Sequence, residues 1–276
     1  MNKQGYINYN LLFSSNNSGK ADSDVRALKI IEELLPYQDS IQLNGKSIYE
    51  ISDISIIESL EDFIKLEVAK MKNNENNIFD YGRPNQRSYP LKNFCSAALK
   101  SLKSYIQYEQ EIKAADAIVE RENNPKRISK QLIAHFDLTK EGKDEVAQIK
   151  RRKGQDYFRR MILANYGGHC ALTGIDLPQL LLASHIIPWS DNKIERLNPC
   201  NGICLSAFYD RAFDQGLIGF DSNYRTILST YIKENDGKDY YERYFKPISG
   251  RQLTMPSMYK PDAKFLEWHM DSIFLR

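Results

Sequence analysis

The sequence predicts an α+β protein in two parts: a helical N-terminal module over residues 1–125, then a mixed unit of short strands and helices over 126–276. Three observations predict it. Apolar residues recur at helical spacing through most of the first half. The stretch "RENNPKR" (121–127) then breaks that pattern and is the expected linker. Beyond residue 167 the chain turns to short apolar runs bounded by Gly and Pro, the texture of strands and turns.

Taken in order, residues 1–20 are polar and rich in Asn and Ser, and are expected to be poorly ordered. "DVRALKIIEELL" (24–35) sets Val25, Leu28, Ile31 and Leu35 on one helical face, and "ISIIESLEDFIKLEVAKM" (54–71) repeats the pattern. "NNENNIFDYGRPNQRSYP" (73–90), with its glycine, prolines and asparagines, reads as a loop. A long helix, or two in tandem, follows over 91–122. In the second part "LLLASHIIPW" and "NGICLS" are strand-like, and "AFYDRAFDQG" (207–216) is a short helix closed by Gly216. "LIGFD" and "YRTILS" form a hairpin around "SN", and residues 263–274 make a terminal amphipathic helix.

Composition narrows the class. Hydrophobic residues make up 42% and charged residues 27%, as in ordinary globular proteins. No apolar run approaches the roughly 20 residues that span a bilayer, and no signal-like stretch opens the sequence. Four scattered cysteines do not make a disulfide framework, so a reduced, cytoplasmic protein without membrane attachment is expected. The net charge is only +2, but Lys150, Arg151, Arg152, Lys153, Arg159 and Arg160 crowd one segment against Asp156. That cluster is either a solvated helix face or an electrostatic footprint for phosphates.

The chemistry gathers around "ASHIIPWS" (183–190), where a histidine interrupts a strand-like run. After a polar loop comes Asn201, then Asp210 and Asp214 one helical turn apart. On a helix that spacing brings the two Cβ atoms within about 5–6 Å, so both carboxylates reach one cation. Arg211 stands between them on a neighbouring face. The sequence thus offers one imidazole on a strand, one carboxamide in a turn and two carboxylates on a following helix.

Residues 169–220 resemble the HNH endonucleases, through the "SHI-x-P" strand end, the "NPxNG-x-x-L" turn and the "DRAFD-x-G" helix. The likeness continues more loosely to "FLEWHMDSIF". The resemblance implies a ββα-metal nuclease domain acting on DNA. It makes His185 the general base, Asn201 the residue that holds the base-bearing loop, and Asp210 and Asp214 metal ligands. Ser184 stands where relatives often carry a ligating His or Asp, and is a candidate ligand. Tyr209 stands where they often carry histidine. Two carboxylates favour Mg²⁺ or Mn²⁺ over metals that prefer imidazole. Arg151, Arg152, Arg159, Arg160 and Arg211 are candidate nucleic-acid contacts.

No Cys-x-x-Cys pair is present for a zinc brace; Cys170, Cys200 and Cys204 miss that spacing. His135 and His269 are expected to be structural, and Trp189 and Trp268 to be packing residues. The N-terminal helices loosely resemble modules that precede nuclease domains in bacterial restriction and defence proteins. That implies a part in target selection, dimerisation or regulation. One such site cuts one strand, so a double-strand break calls for a homodimer. The alternative is a catalytically inactive HNH fold that binds nucleic acid.

Overall fold

The computed structural model describes residues 1–13, 19–139 and 145–276, and they divide into two compact units, Met1–Ala114 and Ala115–Arg276. The boundary therefore falls before the expected one at 125/126, within a continuous helix. "RENNPKR" does break the helical run, but only as a short turn: Asn124 caps the next helix, its side chain accepting from the Lys126 and Arg127 amides.

The first unit holds α1 (Lys3–Phe13), α2 (Lys20–Leu34), α3 (Ile54–Lys72), α4 (Ser88–Leu91) and the first part of α5 (Phe94–Arg121). Its core is the predicted aliphatic stripes of α2, α3 and α5, with Leu28, Ile31, Ile57, Leu60, Leu99 and Leu102 buried. Two expectations need correction. The N-terminal stretch is not uniformly loose: residues 3–13 form α1, which buries Tyr6 and sets the Tyr9 ring, tilted, against Tyr105 and Tyr108. Residues 14–18 lie outside the described residues. The loop over 73–90 is largely helical turns, at Ile78–Tyr81, Pro84–Gln86 and α4. Asn77 begins the first of these, accepting from the Phe79 amide while Asp80 accepts from the Asn77 amide.

The second unit continues with α6 (Pro125–His135), α7 (Glu145–Asn165), β1 (Leu181–His185), β2 (Gly202–Ser206), α8 (Ala207–Asp214), β3 (Ile218–Phe220), β4 (Thr226–Leu228), α9 (Thr230–Lys233) and α10 (Ala263–Ser272). β1 and β2 pair antiparallel with His185 opposite Gly202, and β3 and β4 form the second hairpin. Gly202 lets α7 approach: a Cβ there would lie 2.6 Å from Ile162 and 2.7 Å from Phe158. After β4 an arm doubles back along the unit. Its backbone bonds Thr254 to Ala171, Ser257 to Asn165 and Asp262 to Cys200. That arm delivers α10 to β3 and to the end of α8. No helix among the described residues is long and apolar enough to cross a membrane.

Candidate active site

Successive residues of a strand point to opposite faces, and the end of β1 uses both. Ser184 turns to α8, where its hydroxyl donates to Asp210 Oδ1 at 2.5 Å. His185 turns to α7, where its ring stacks on Phe158, with centroids 3.9 Å apart and planes 13° apart. Trp189 meets the same imidazole edge-on at 5.7 Å. His185 Nε2 lies 2.9 Å from the Arg196 carbonyl. A carbonyl can only accept, so this partner assigns the proton to Nε2 and leaves Nδ1 as an acceptor. Burial among these rings pulls the His185 pKa down to about 4, against the hydrogen bond to the Arg196 carbonyl, so the ring is neutral at neutral pH.

Asn201 is buried, at the end of the turn before β2. Its side chain accepts from the Ile187 amide at 2.9 Å and donates to the Ile187 and Glu195 carbonyls, each at 3.1 Å. It thereby ties both ends of the loop that follows His185, while the amide itself stays away from solvent.

Ser184, His185, Asp210 and Asp214 line one pocket of about 390 Å³, together with Ala183, Pro188, Trp189, Gln215, His269 and Ile273. Partial burial raises the Asp210 pKa, against the Ser184 hydrogen bond and the Arg211 charge. The Asp214 side chain opens towards solvent, yet its carboxylate is pushed up to about 6, first by desolvation and then by Asp210. Two like charges that raise each other's cost are a donor set a cation relieves. Among the described residues no group of three or more His, Cys, Asp or Glu side chains is arranged to hold a metal. The pair therefore fits an ion that takes one or two carboxylates and keeps water or phosphate oxygens for its other positions, as Mg²⁺ does.

The basic segment lies on α7 and is divided in use. Arg159 donates to the Pro178 and Leu181 carbonyls, both at 2.9 Å, and so braces the approach to β1. Arg160 pairs with Asp156 at 2.7 Å, and Lys150 with Asp137 at 2.6 Å. Arg151 and Arg152 are exposed, as is Arg211 on α8. Tyr209 is buried away from this chemistry, its hydroxyl donating to the Tyr244 carbonyl at 2.6 Å. Cys170 Sγ accepts from the Ser206 and Thr173 amides, an architectural use of the thiol.

Sequence reasoning missed two residues of this pocket. Trp189, expected only to pack, forms part of its wall and carries the Arg196 guanidinium 5.2 Å above its ring. His269, expected to be structural, is brought there by α10. Trp189 follows His185 closely and was within reach of sequence; nothing local marks His269.

Residues 170–221 match the family model described as HNH endonuclease, a span that holds β1, β2, α8 and β3. No curated protein matches the chain. That segment, which carries His185, Asn201, Asp210 and Asp214 on its hairpin and helix, is similar to the HNH endonucleases.

Proposed function

We propose that the second unit is a divalent-metal-dependent endonuclease that hydrolyses DNA phosphodiester bonds. The observation that carries this reading is one pocket lined both by a neutral imidazole, whose Nε2 is committed to a carbonyl, and by a pair of carboxylates. His185 Nδ1 takes a proton from water, and the water oxygen attacks phosphorus as the bond to the 3′ oxygen breaks. The Arg196 carbonyl steadies the imidazolium that forms, through the Nε2–H bond. Asp210 and Asp214 would hold Mg²⁺ or Mn²⁺, which when bound neutralises charge on the phosphate and the leaving oxygen. Ser184 orients Asp210 by its hydroxyl rather than needing to serve as a ligand itself. Asn201 acts as a positioning residue, fixing the loop that carries Arg196.

Arg211, Arg151 and Arg152 are the side chains we assign to phosphate contact, with Arg159 and Arg160 shaping the surface beside them. The protein works in the cytoplasm, in restriction or anti-phage defence, as a homodimer when both strands are cut. That setting rests on the loose likeness of the N-terminal helices to modules of restriction and defence proteins. A second reading, an inactive HNH fold that binds nucleic acid, is favoured by one observation: no third metal-ligating side chain joins the two aspartates among the described residues.

Incubation of plasmid and phage DNA with the full chain in Mg²⁺, Mn²⁺ or EDTA decides between them. Cleavage with either ion, none in EDTA, and a loss of about a hundredfold or more in Asp210→Asn are expected. Tight binding without cleavage in any metal supports the second reading, and cleavage in EDTA contradicts the metal role.

A further inference from the structure

The pocket wall contains an imidazole that takes no part in this chemistry. His269, on α10, is only 1% exposed and lines the pocket beside Asp210 and Asp214. Its ring lies flat on Phe213, with 3.8 Å between centroids and 3° between planes. Its Nε2 lies 3.1 Å from the Phe213 carbonyl, so Nε2 carries the proton and donates. The same carbonyl accepts from the Gly216 amide at 2.9 Å.

The Phe213 carbonyl and the Asp214 nitrogen belong to one planar peptide group. Fixing that carbonyl fixes where the Asp214 side chain starts. A second brace acts just beyond it. The Leu275 amide donates to the Gly216 carbonyl at 3.0 Å. Gly216 has φ +67°, and a Cβ there would lie 2.2 Å from the Ile273 carbonyl oxygen. The end of α8 is therefore clamped by residues 269–275, all beyond the segment that matches the family.

With Nε2 committed as donor, His269 Nδ1 is an acceptor, and it is buried without a partner among the described residues. Buried acceptors are rarely left unmet, and in a polar pocket water is the usual partner.

We propose that His269 is a positioning residue of the metal site: it holds Asp214 through the Phe213 peptide, and its Nδ1 accepts a hydrogen bond from a pocket water. This rests on the reading of Asp210 and Asp214 as cation ligands. His269 supplies what first-contact carboxylates commonly need, a neighbour that fixes their direction.

The test compares the full chain with His269→Phe, which keeps a stacked ring but neither nitrogen, and with His269→Gln, which restores a donor and an acceptor. Two quantities are read: amide hydrogen exchange at Gly216 without metal, and the Kd for Mn²⁺ alone by calorimetry. Exchange in His269→Phe is expected to quicken, and Mn²⁺ binding to weaken by about tenfold or more, with His269→Gln recovering most of both. A merely structural histidine would lower the Tm yet leave the folded protein's Mn²⁺ affinity unchanged; that result, or unchanged exchange at Gly216, overturns the proposal. If wild type takes up no Mn²⁺, the cation reading of the aspartates fails. Exchange alone then decides the clamp: quickening reversed by Gln supports it, and no change overturns it. Should His269→Phe not fold, the ¹⁵N spectrum of wild-type His269 settles the matter. A hydrogen-bonded Nδ1 beside a protonated Nε2 supports the proposal, and a free Nδ1 overturns it.

Discussion

His185 and His269 are both neutral in the fold for the same reason, since burial lowers each pKa to about 4 from 6.5. A histidine whose folded pKa is depressed contributes stability that is complete above its unfolded pKa and is lost as pH falls towards the folded one. The window here is pH 6.5 to 4. Each of the two contributes a slope of up to about 1.4 kcal/mol per pH unit within it. Asp214 acts with the opposite sign. Its folded pKa of about 6 lies above the unfolded 3.8, so its protonation favours the fold as pH drops through that range. The measurable quantity is thus a difference. Chemical denaturation of wild type and His185→Gln should converge as pH falls from 6.5 to 4, and parallel curves would contradict a buried neutral His185. The low value for His185 also means that it is ready to accept a proton at any pH above about 5. An acid limb of activity near pH 6 is then not set by His185.

At the scale of elements, the hairpin β1–β2 is the frame on which the site is mounted, pressed between α7 and α8. Asn201 secures its loop with three hydrogen bonds to buried backbone. Asn201→Ala leaves those groups unmet, at a cost of about 1–3 kcal/mol, and activity should fall further than stability because Arg196 loses its place. Denaturation and cleavage assays on the same preparation check this; equal, small losses would contradict it. Much of this frame was legible in the sequence. β1, β2 and α8 are short apolar or amphipathic runs with clear turn residues, and α3 and α5 carry long aliphatic stripes. α1 escaped because its buried face is built from Tyr6 and Asn10 rather than aliphatic residues, so a search for apolar periodicity passes over it. The turns over 78–91 escaped because their order comes from caps such as Asn77 and Asp80, in a stretch whose Gly, Pro and Asn content reads as loop. His185, Asp210 and Asp214 stand out by their spacing, Ser184 by the resemblance to HNH endonucleases, and one pocket is lined by all four. His269 does not stand out, since its place depends on the arm over 251–262 folding back onto the end of α7 at Asn165, which no local pattern encodes.

For the whole molecule, the division of the basic segment on α7 sharpens what charge can do. Lys150, Arg159 and Arg160 are engaged with carboxylates or carbonyls, whereas Arg151 and Arg152 are exposed. Reversing both of the latter charges should weaken DNA binding for all sequences alike and flatten its dependence on salt by about two units of slope. Binding and salt slope equal to wild type would assign the segment to solvation instead. The central claim is that this pocket hydrolyses DNA with His185 as the base. Its most direct measurement is the single-turnover cleavage rate of wild type against His185→Ala in Mn²⁺, with Mn²⁺ binding followed in both proteins. A rate lower by about 10²–10⁴ in a variant that still folds and still binds Mn²⁺ is the predicted result. Cleavage by His185→Ala at the wild-type rate would contradict it.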